Sequence, residues 1–198
     1  MLLRVTKYGE SILRKKGQPV SSFDAELRRL AADMVETMHA NDGAGLAAQQ
    51  IGSDKLLFVV DLSWNEELAK MPCELDGRRP PLHLLMPMVF VNAELTPLRG
   101  RMIEAEEGCL SFNEIRGDVT RVDHVRVEYQ DLDGAKHVLI AGDWLARVLQ
   151  HEYDHTQGVL FIDRMTPDTL RAIEPRLKKL RKNARKGPCA VEAAESAE

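Results

Sequence analysis

The amino-acid sequence predicts an α+β domain in which antiparallel or mixed β-sheets surround a central helix that carries the motif HExxH. Short apolar or alternating runs indicate strands, whereas three longer segments read as helices, the last of them at the C-terminal end. These strands and helices do not alternate as βαβ units require, which favours α+β over a parallel sheet. A chain of 198 residues is long enough to bury one sizeable core.

The composition is that of an ordinary soluble globular protein, with 44% hydrophobic and 29% charged residues. A net charge of −4 gives no general argument for a nucleic-acid or membrane partner. The odd number of cysteines (Cys73, Cys109 and Cys189) predicts free thiols in a reducing compartment. The opening residues have no apolar signal core, and no apolar run reaches about 18 residues, so we expect a cytoplasmic protein, most simply a bacterial one.

The elements of the N-terminal half begin with a helix over residues 22–40, where apolar residues recur at helical spacing until an Asn-Asp-Gly stop. A glycine-rich loop, GAGLAAQQIG at 43–52, follows it. The run KLLFVVD at 55–61 then predicts a buried strand. Residues 64–87 contain four prolines and a charged turn, and we interpret them as a long surface loop.

The C-terminal half opens with a strand at MVFVNAEL, residues 88–95, and a hairpin over 124–140. We expect Asp143 to cap the next helix, which Gly158 ends. Residues 169–186 contain eight Lys or Arg and one Glu, and Pro175 is expected to break this segment or to lie in its first turn. The remaining residues lack a large apolar face, which predicts disorder.

The motif HEYDH at residues 151–155 has the spacing of a metal site. His151 and His155 are four residues apart, so on a helix both imidazoles point from one face and can share a metal ion. Glu152 can reach a water molecule at the metal without being a ligand, which suits a general base. The alternative is a solvated helix face, but the apolar residues at 145–149 place the histidines beside a buried stripe.

The third ligand is not given by this motif, because Phe161 stands where the extended metalloprotease pattern has a third histidine. The stretch EEGCLS at 106–111 offers Cys109, and a thiolate with two histidines leaves one position for water. Cys109 alone could equally be a small buried hydrophobe. Three carboxylates downstream are further candidates, although the first two lie in a short irregular stretch: Asp163, Asp168 and Glu174.

The GAGLAAQQ loop has three interpretations. A phosphate cradle is disfavoured, because the P-loop and dinucleotide patterns are both missing. The loop could simply end a helix with tight packing. It could also form an active-site wall, where Gly43 and Gly45 admit a substrate backbone and Gln49 or Gln50 donates a hydrogen bond to a developing oxyanion.

The stretches GAGLAAQQ, EGCLS and QHEYDH, in this order, resemble the three signature motifs of peptide deformylase. Gly9, Leu13, Arg14 and the run EIRGDVTR also resemble this family, and the likeness covers about residues 1–165. It implies a hydrolase that removes the N-formyl group from the N-terminal methionine of newly synthesised proteins. It also implies one divalent metal ion, Fe(II), which Zn, Ni or Co can replace, and no membrane partner.

The resemblance also implies how the site residues act. The metal ligands would be three residues: Cys109, His151 and His155. Glu152 would carry a proton from the attacking water to the leaving amine. The Gln50 side chain and the Leu110 backbone N–H would stabilise the oxyanion.

Substrate binding follows by the same analogy. Gly45 and Gly108 would hydrogen-bond the peptide backbone as an added strand, and Glu107 would pair with Arg121. The methionine pocket would contain Ala44, Glu107, Trp144, Arg147 and Val148. The chain departs from the family pattern in its longer 64–87 segment, in VNAEL where Asn-Pro-x-Ile is frequent, and at Thr156, where leucine is usual.

On this basis we expect a catalytic domain at 1–165, a basic helical segment at 166–186 and a disordered tail at 187–198. A zinc endopeptidase is the first rival, but the missing third histidine and the cysteine motif disfavour it. A ribosome- or RNA-binding protein that uses residues 171–186 is the second, although a solvated helix face explains that charge as well. The two functions also combine, if the basic segment docks a deformylase on the ribosome. A deformylase-like protein with a shifted substrate is the third.

Overall fold

The computed structural model describes residues 1–184, so Cys189 and the predicted tail at 187–198 lie outside the described residues. The helices are α1 (Ala25–Ala40), α2 (Asp143–Thr156) and α3 (Pro167–Ala184). The strands are β1 (Gly45–Ala47), β2 (Leu57–Val60), β3 (Cys73–Leu75), β4 (Met88–Pro97), β5 (Met102–Gly108), β6 (Arg116–Val122), β7 (His124–Gln130) and β8 (Lys136–Gly142). No helix within this part of the chain is long and apolar enough to cross a membrane.

Two antiparallel sheets frame α2. The larger has six strands in the order β1-β2-β4-β7-β8-β3, and the smaller pairs β5 with β6. The prediction of an α+β fold with a central and a C-terminal helix is confirmed. Strand 88–95 and hairpin 124–140 are also confirmed, as β4 and as β7 with β8.

The core lies between α2 and the larger sheet. Leu145 and Leu149 are completely buried on the helix face that meets Phe58 and Phe90 of β2 and β4. Burying an aliphatic side chain of this size stabilises the fold by about 1.5–3 kcal/mol. This packing fixes the rotation of α2 about its axis and therefore the direction in which its histidines point.

Helices α1 and α2 start at residues other than those predicted, because the N-cap residues differ from the expected ones. α1 begins at Ala25, since the Asp24 carboxylate accepts the Leu27 backbone N–H at 3.0 Å and satisfies the first turn. The expected start at residue 22 is therefore wrong. Asp143 is also not a cap: it is the first residue of α2, with φ of 51°, and the N-cap is Gly142, without a side-chain hydrogen bond.

Two further expectations about the chain are wrong. The 64–87 segment is not a loop throughout, because β3 adds to the edge of the large sheet with Cys73 opposite Ala141. A three-residue strand between prolines is too short to leave a periodic signal. Pro175 lies inside α3 without ending it. Ile173 and Leu177 on either side of this proline are buried, and their packing offsets the hydrogen bond that proline cannot donate.

Candidate metal centre

The two histidines lie on the inner face of α2. His155 is 1% exposed, His151 is half-buried, and their ring centroids are 5.1 Å apart. This is the arrangement that the four-residue spacing predicts for a helix.

Cys109 approaches these histidines from the two-stranded sheet. It follows β5 directly and precedes a short 3-10 turn, Leu110–Phe112. Its Sγ lies 3.3 Å from His155 Nε2, and one ligand atom from each of Cys109, His151 and His155 lies within 4.8 Å of the others. Cys73 and Cys109 are both free thiols, as predicted.

The carboxylates that were candidates for the third ligand are engaged elsewhere. Asp163 pairs with Arg14, Asp168 pairs with Arg171, and Glu174 lies 2.9 Å from Lys178. Among residues 1–184, Cys109, His151 and His155 form the one cluster with ligand spacing.

The residues present fit a divalent metal. Metal bonds to sulfur and nitrogen are about 2.0–2.3 Å long, so ligand atoms must lie within a few ångströms of one another. The three ligand atoms here, all within 4.8 Å of one another, meet this requirement. Burial and the charge of His151 lower the pKa of His155 well below its usual value, so its imidazole is neutral, as a ligand must be. Burial opposes protonation of His151 too, but hydrogen bonds to Cys109 and Glu107 outweigh it and raise the pKa of His151 to about 10. His151 therefore holds a proton in the metal-free protein, and a bound ion would displace that proton.

Glu107 orients His151 from behind. Its carboxylate accepts a hydrogen bond from His151 Nδ1 at 2.9 Å, and it pairs with Arg121 at 2.7 and 3.0 Å. The expected Glu107–Arg121 ion pair is confirmed. Burial opposes ionisation of Glu107, but the hydrogen bonds from His151 and Arg121 outweigh it and lower the pKa of Glu107 to about 2. Because Nδ1 is engaged by Glu107, Nε2 is the ring nitrogen of His151 that could ligate an ion.

Further ion pairs connect Arg121 to residues outside the ligand cluster. Arg121 also donates to Asp154 at 2.8 Å, and Asp154 in turn accepts from Arg164 at 2.7 Å. Arg147 donates to Glu107 and to the backbone oxygens of Ile103 and Val119. The guanidinium of Arg147 therefore braces β5 and β6, whereas the family resemblance implies only a position near the methionine pocket.

Glu152 is the buried acid of the site. It is 4% exposed, and its Oε2 has no hydrogen-bond partner among the described residues. Burial raises the pKa of Glu152 to about 7. A Cβ at Gly45 would lie 2.5 Å from Glu152 Oε1, so only glycine fits opposite this carboxylate. An orphaned carboxylate oxygen of this kind is typical of a group that meets a ligand or water.

The GAGLAAQQ stretch forms a wall beside Glu152, which supports the third of its interpretations. Gln50 is fixed by the Ala47 backbone N–H, which donates to Gln50 Oε1 at 2.8 Å. The amide nitrogen of Gln50 then lies 3.4 Å from Cys109 Sγ. Gln49 points away, with its amide nitrogen 3.4 Å from the Lys55 carbonyl oxygen. Gln50 is therefore the glutamine that reaches the site.

A single cavity of about 570 Å³ joins these groups. The residues that the family resemblance assigns to the site all line it except His155, which is buried. Several residues that line the cavity or hydrogen-bond to its lining were not singled out from the sequence, because they come from separate elements without a shared motif. They are Lys7, Asn41, Trp64, Ser111, Asn113, Asp154 and Arg164. The adjacency of Asp154 to the histidine pair was the one available signal.

The comparisons with known protein sequences all match one family. The Polypeptide deformylase family model matches residues 2–171. The peptide deformylase of Opitutus terrae is 49% identical over 186 residues, which covers 93% of this chain and 96% of that protein. The peptide deformylase of Methylacidiphilum infernorum is 40% identical over 183 residues, covering 92% and 94%.

Solved structures agree with the sequence relatives. The plant peptide deformylase PDF1B matches with a TM-score of 0.80 and 32% identity, over 93% of this chain and 92% of that one. The peptide deformylase of Thermus thermophilus matches with a TM-score of 0.76 and 34% identity, over 92% and 99%. The likeness in both sequence and structure spans nearly the whole chain.

Proposed function

Because the chain belongs to the polypeptide deformylase family, we propose that Cys109, His151 and His155 hold the metal ion of a deformylase. The protein is a hydrolase that removes the N-formyl group from nascent peptides. Formyl-methionyl peptide and water give formate and a peptide with a free amino terminus. The observation that carries the proposal is the meeting of one thiol and two imidazoles beside the buried Glu152.

The metal that we propose is Fe(II), with Zn, Ni or Co as replacements. When bound, such an ion supplies Lewis acidity and makes water nucleophilic near neutral pH. A set of one sulfur and two nitrogens suits several of these ions, so the identity needs a direct test. Elemental analysis of protein purified without oxygen or added metal should find iron, and zinc in its place would reject Fe(II).

Glu152 is proposed to move the proton. Its carboxylate lines the cavity and is buried, and its Oε2 has no hydrogen-bond partner among residues 1–184. A carboxylate whose pKa lies near the working pH can accept a proton from the attacking water and later give it to the leaving amine. One buried group can therefore act in both halves of the reaction.

Gln50 and the Leu110 backbone N–H are proposed to stabilise the oxyanion that develops on the formyl oxygen. The Gln50 amide is held at its oxygen by Ala47, so its N–H₂ end is directed toward Cys109 before substrate arrives. Leu110 follows Cys109 directly and lines the cavity. Fixed donors of this kind cost no reorganisation at the moment of reaction.

Gln50→Ala is expected to lower kcat by about 10²–10³, or roughly 3–4 kcal/mol, because one oxyanion donor is removed. Steady-state formate release would measure this loss. Gln49→Ala is the matched control, since it removes a buried glutamine that points away from the site. Equal kcat values for the two variants would reject the role of Gln50.

The substrate backbone is proposed to lie between Gly45 and Gly108, as an added strand. The methionine side chain would enter beside Ala44, Trp144 and Val148, which line the cavity. Glu107 and Arg147 support this pocket from within the protein, through their mutual hydrogen bond at 2.6 Å.

Formate release tests the function directly. Protein prepared with Fe(II) under anaerobic conditions should release one formate for each formyl-methionyl peptide and leave the peptide bonds intact. Cleavage within the peptide, without formate, would instead favour a zinc endopeptidase.

The basic helix α3 is proposed to carry the protein to its substrates. We regard residues 1–165 as the catalytic unit and 166–186 as a segment that contacts the ribosome in the bacterial cytoplasm, where formylated chains emerge. Ile173 and Leu177 fix one face of α3 to the protein, while Lys178, Lys179 and Lys182 are exposed. Cations presented in this way favour a polyanionic partner.

Replacing these three lysines by glutamine should weaken sedimentation with ribosomes and reduce its dependence on salt, because fewer phosphate contacts form. Turnover of a short formyl-methionyl peptide should not change. Arg78→Gln with Arg79→Gln is the control, since it removes two exposed cations from another part of the chain. Binding that is equally strong and equally salt-dependent in all three proteins would reject the proposal.

A further inference from the structure

Trp64 is an exposed aromatic residue at the active-site cavity. Its exposed fraction is 64%, and it lines the same cavity as Gly45 and Glu152. It belongs to the 64–87 segment, which contains none of the three motifs, so the motifs assign it no role. Large apolar groups left exposed beside a binding cleft are typical of contact surfaces for a ligand.

The turn that presents Trp64 is firmly attached to the cavity wall. Asp61, 3% exposed, donates its backbone N–H to the Ala44 carbonyl oxygen at 3.0 Å. Its carboxylate accepts the Ser63 backbone N–H at 2.8 Å and pairs with His39 Nε2 at 2.8 Å. The backbone around Trp64 is therefore positioned before any ligand binds, which lowers the entropic cost of using it.

Two of the charged residues that line the cavity form an ion pair with each other. Glu106 and Arg116, which also line the cavity, pair with each other at 3.7 Å. Trp64 supplies an exposed aromatic face of the same cavity. Such a surface selects for apolar groups.

We propose that Trp64 forms a subsite for an apolar side chain that follows the formyl-methionine of the substrate. The inference rests on the proposed function, because it requires the peptide to run from the metal centre along the cavity. Continuity of Trp64 with that cavity identifies the occupant as the same peptide. Trp64 would be a specificity-determining residue, and Asp61 would be a positioning residue that acts through the turn.

Selectivity among short peptides tests the subsite. The measured quantity is the ratio of kcat/KM for formyl-Met-Phe-Ser, and for formyl-Met-Ala-Phe, to kcat/KM for formyl-Met-Ala-Ser. In the unmodified protein at least one ratio should exceed one, and Trp64→Ala should lower it roughly three- to tenfold, mainly through KM. Trp64→Phe keeps an aromatic face and should retain most of the selectivity.

Leu84→Ala is the matched control, because Leu84 is an exposed apolar residue of the same segment that does not line the cavity. It should leave the ratio unchanged. Asp61→Ala should lower the ratio as Trp64→Ala does, whereas Asp61→Asn, which keeps an acceptor for Ser63, should restore it. That rescue separates positioning from general loss of structure.

Three results would overturn the inference. They are an unmodified protein without a preference for Phe, a ratio that Trp64→Ala leaves unchanged, and a loss of self-association in Trp64→Ala without a change in the ratio. The last would assign Trp64 to a contact between copies, which sedimentation velocity would reveal. Absence of formate release from all three peptides would instead contradict the proposed function, so the two failures are distinguishable.

Discussion

Cys109→Ala is expected to strip the protein of its metal and to reduce formate release to background. Removal of the thiolate leaves two imidazoles, and an ion held by two protein ligands exchanges readily with solvent. Removing a residue that merely orients a ligand lowers metal affinity about 10–100-fold. The loss of metal affinity in Cys109→Ala should be larger. Elemental analysis after gel filtration, together with formate release, measures both effects.

Cys73→Ala is the control for this experiment. Cys73 is also a free cysteine, but it is buried on the edge strand β3, and its Sγ contacts the Pro80 carbonyl oxygen at 3.8 Å. This variant should keep a full complement of metal. If Cys109→Ala also retained its metal while its thermal unfolding remained cooperative, the third ligand would have to be another residue.

Local sequence patterns predicted the helix that carries both histidines but not the meeting of these histidines with Cys109. The spacing of His151 and His155 within α2 is a property of one helix, so periodicity suffices. Cys109 lies 46 residues from His155 along the chain. Their contact depends on how the sheet of β5 and β6 packs against α2, which no local pattern encodes. The family resemblance supplied the pairing, and the structure brings the three side chains together.

The errors in the fold have a common physical origin. β3 is three residues long and gains its stability from pairing with β8, not from its own periodicity. α3 continues through Pro175 because its neighbours are buried against the protein. The chain of ion pairs from Glu107 through Arg121 to Asp154 joins three elements, and a sequence gives the charges without showing which of them pair. In each case tertiary contacts outweigh local preference.

Glu152→Gln is expected to lower kcat by at least about 10²–10⁴, the usual contribution of a general acid–base group, while the metal content stays unchanged. The amide has the size of the carboxylate and fills the space opposite Gly45, but it cannot accept and return a proton. Glu152 does not belong to the ligand cluster, so its charge is not needed to hold the ion. Formate release and elemental analysis of one preparation would measure the two quantities together.

Thermal unfolding provides the third measurement for this variant. Glu152 is buried, its Oε2 lacks a partner among the described residues, and burial raises its pKa to about 7, so the folded protein holds a carboxylate in surroundings that disfavour its charge. A residue kept for catalysis at the expense of stability should give a variant that is inactive and melts at the same or a higher temperature. Loss of metal in Glu152→Gln would instead make Glu152 a ligand. Undiminished kcat would mean that another group carries the proton, and Glu152 would then serve the fold alone.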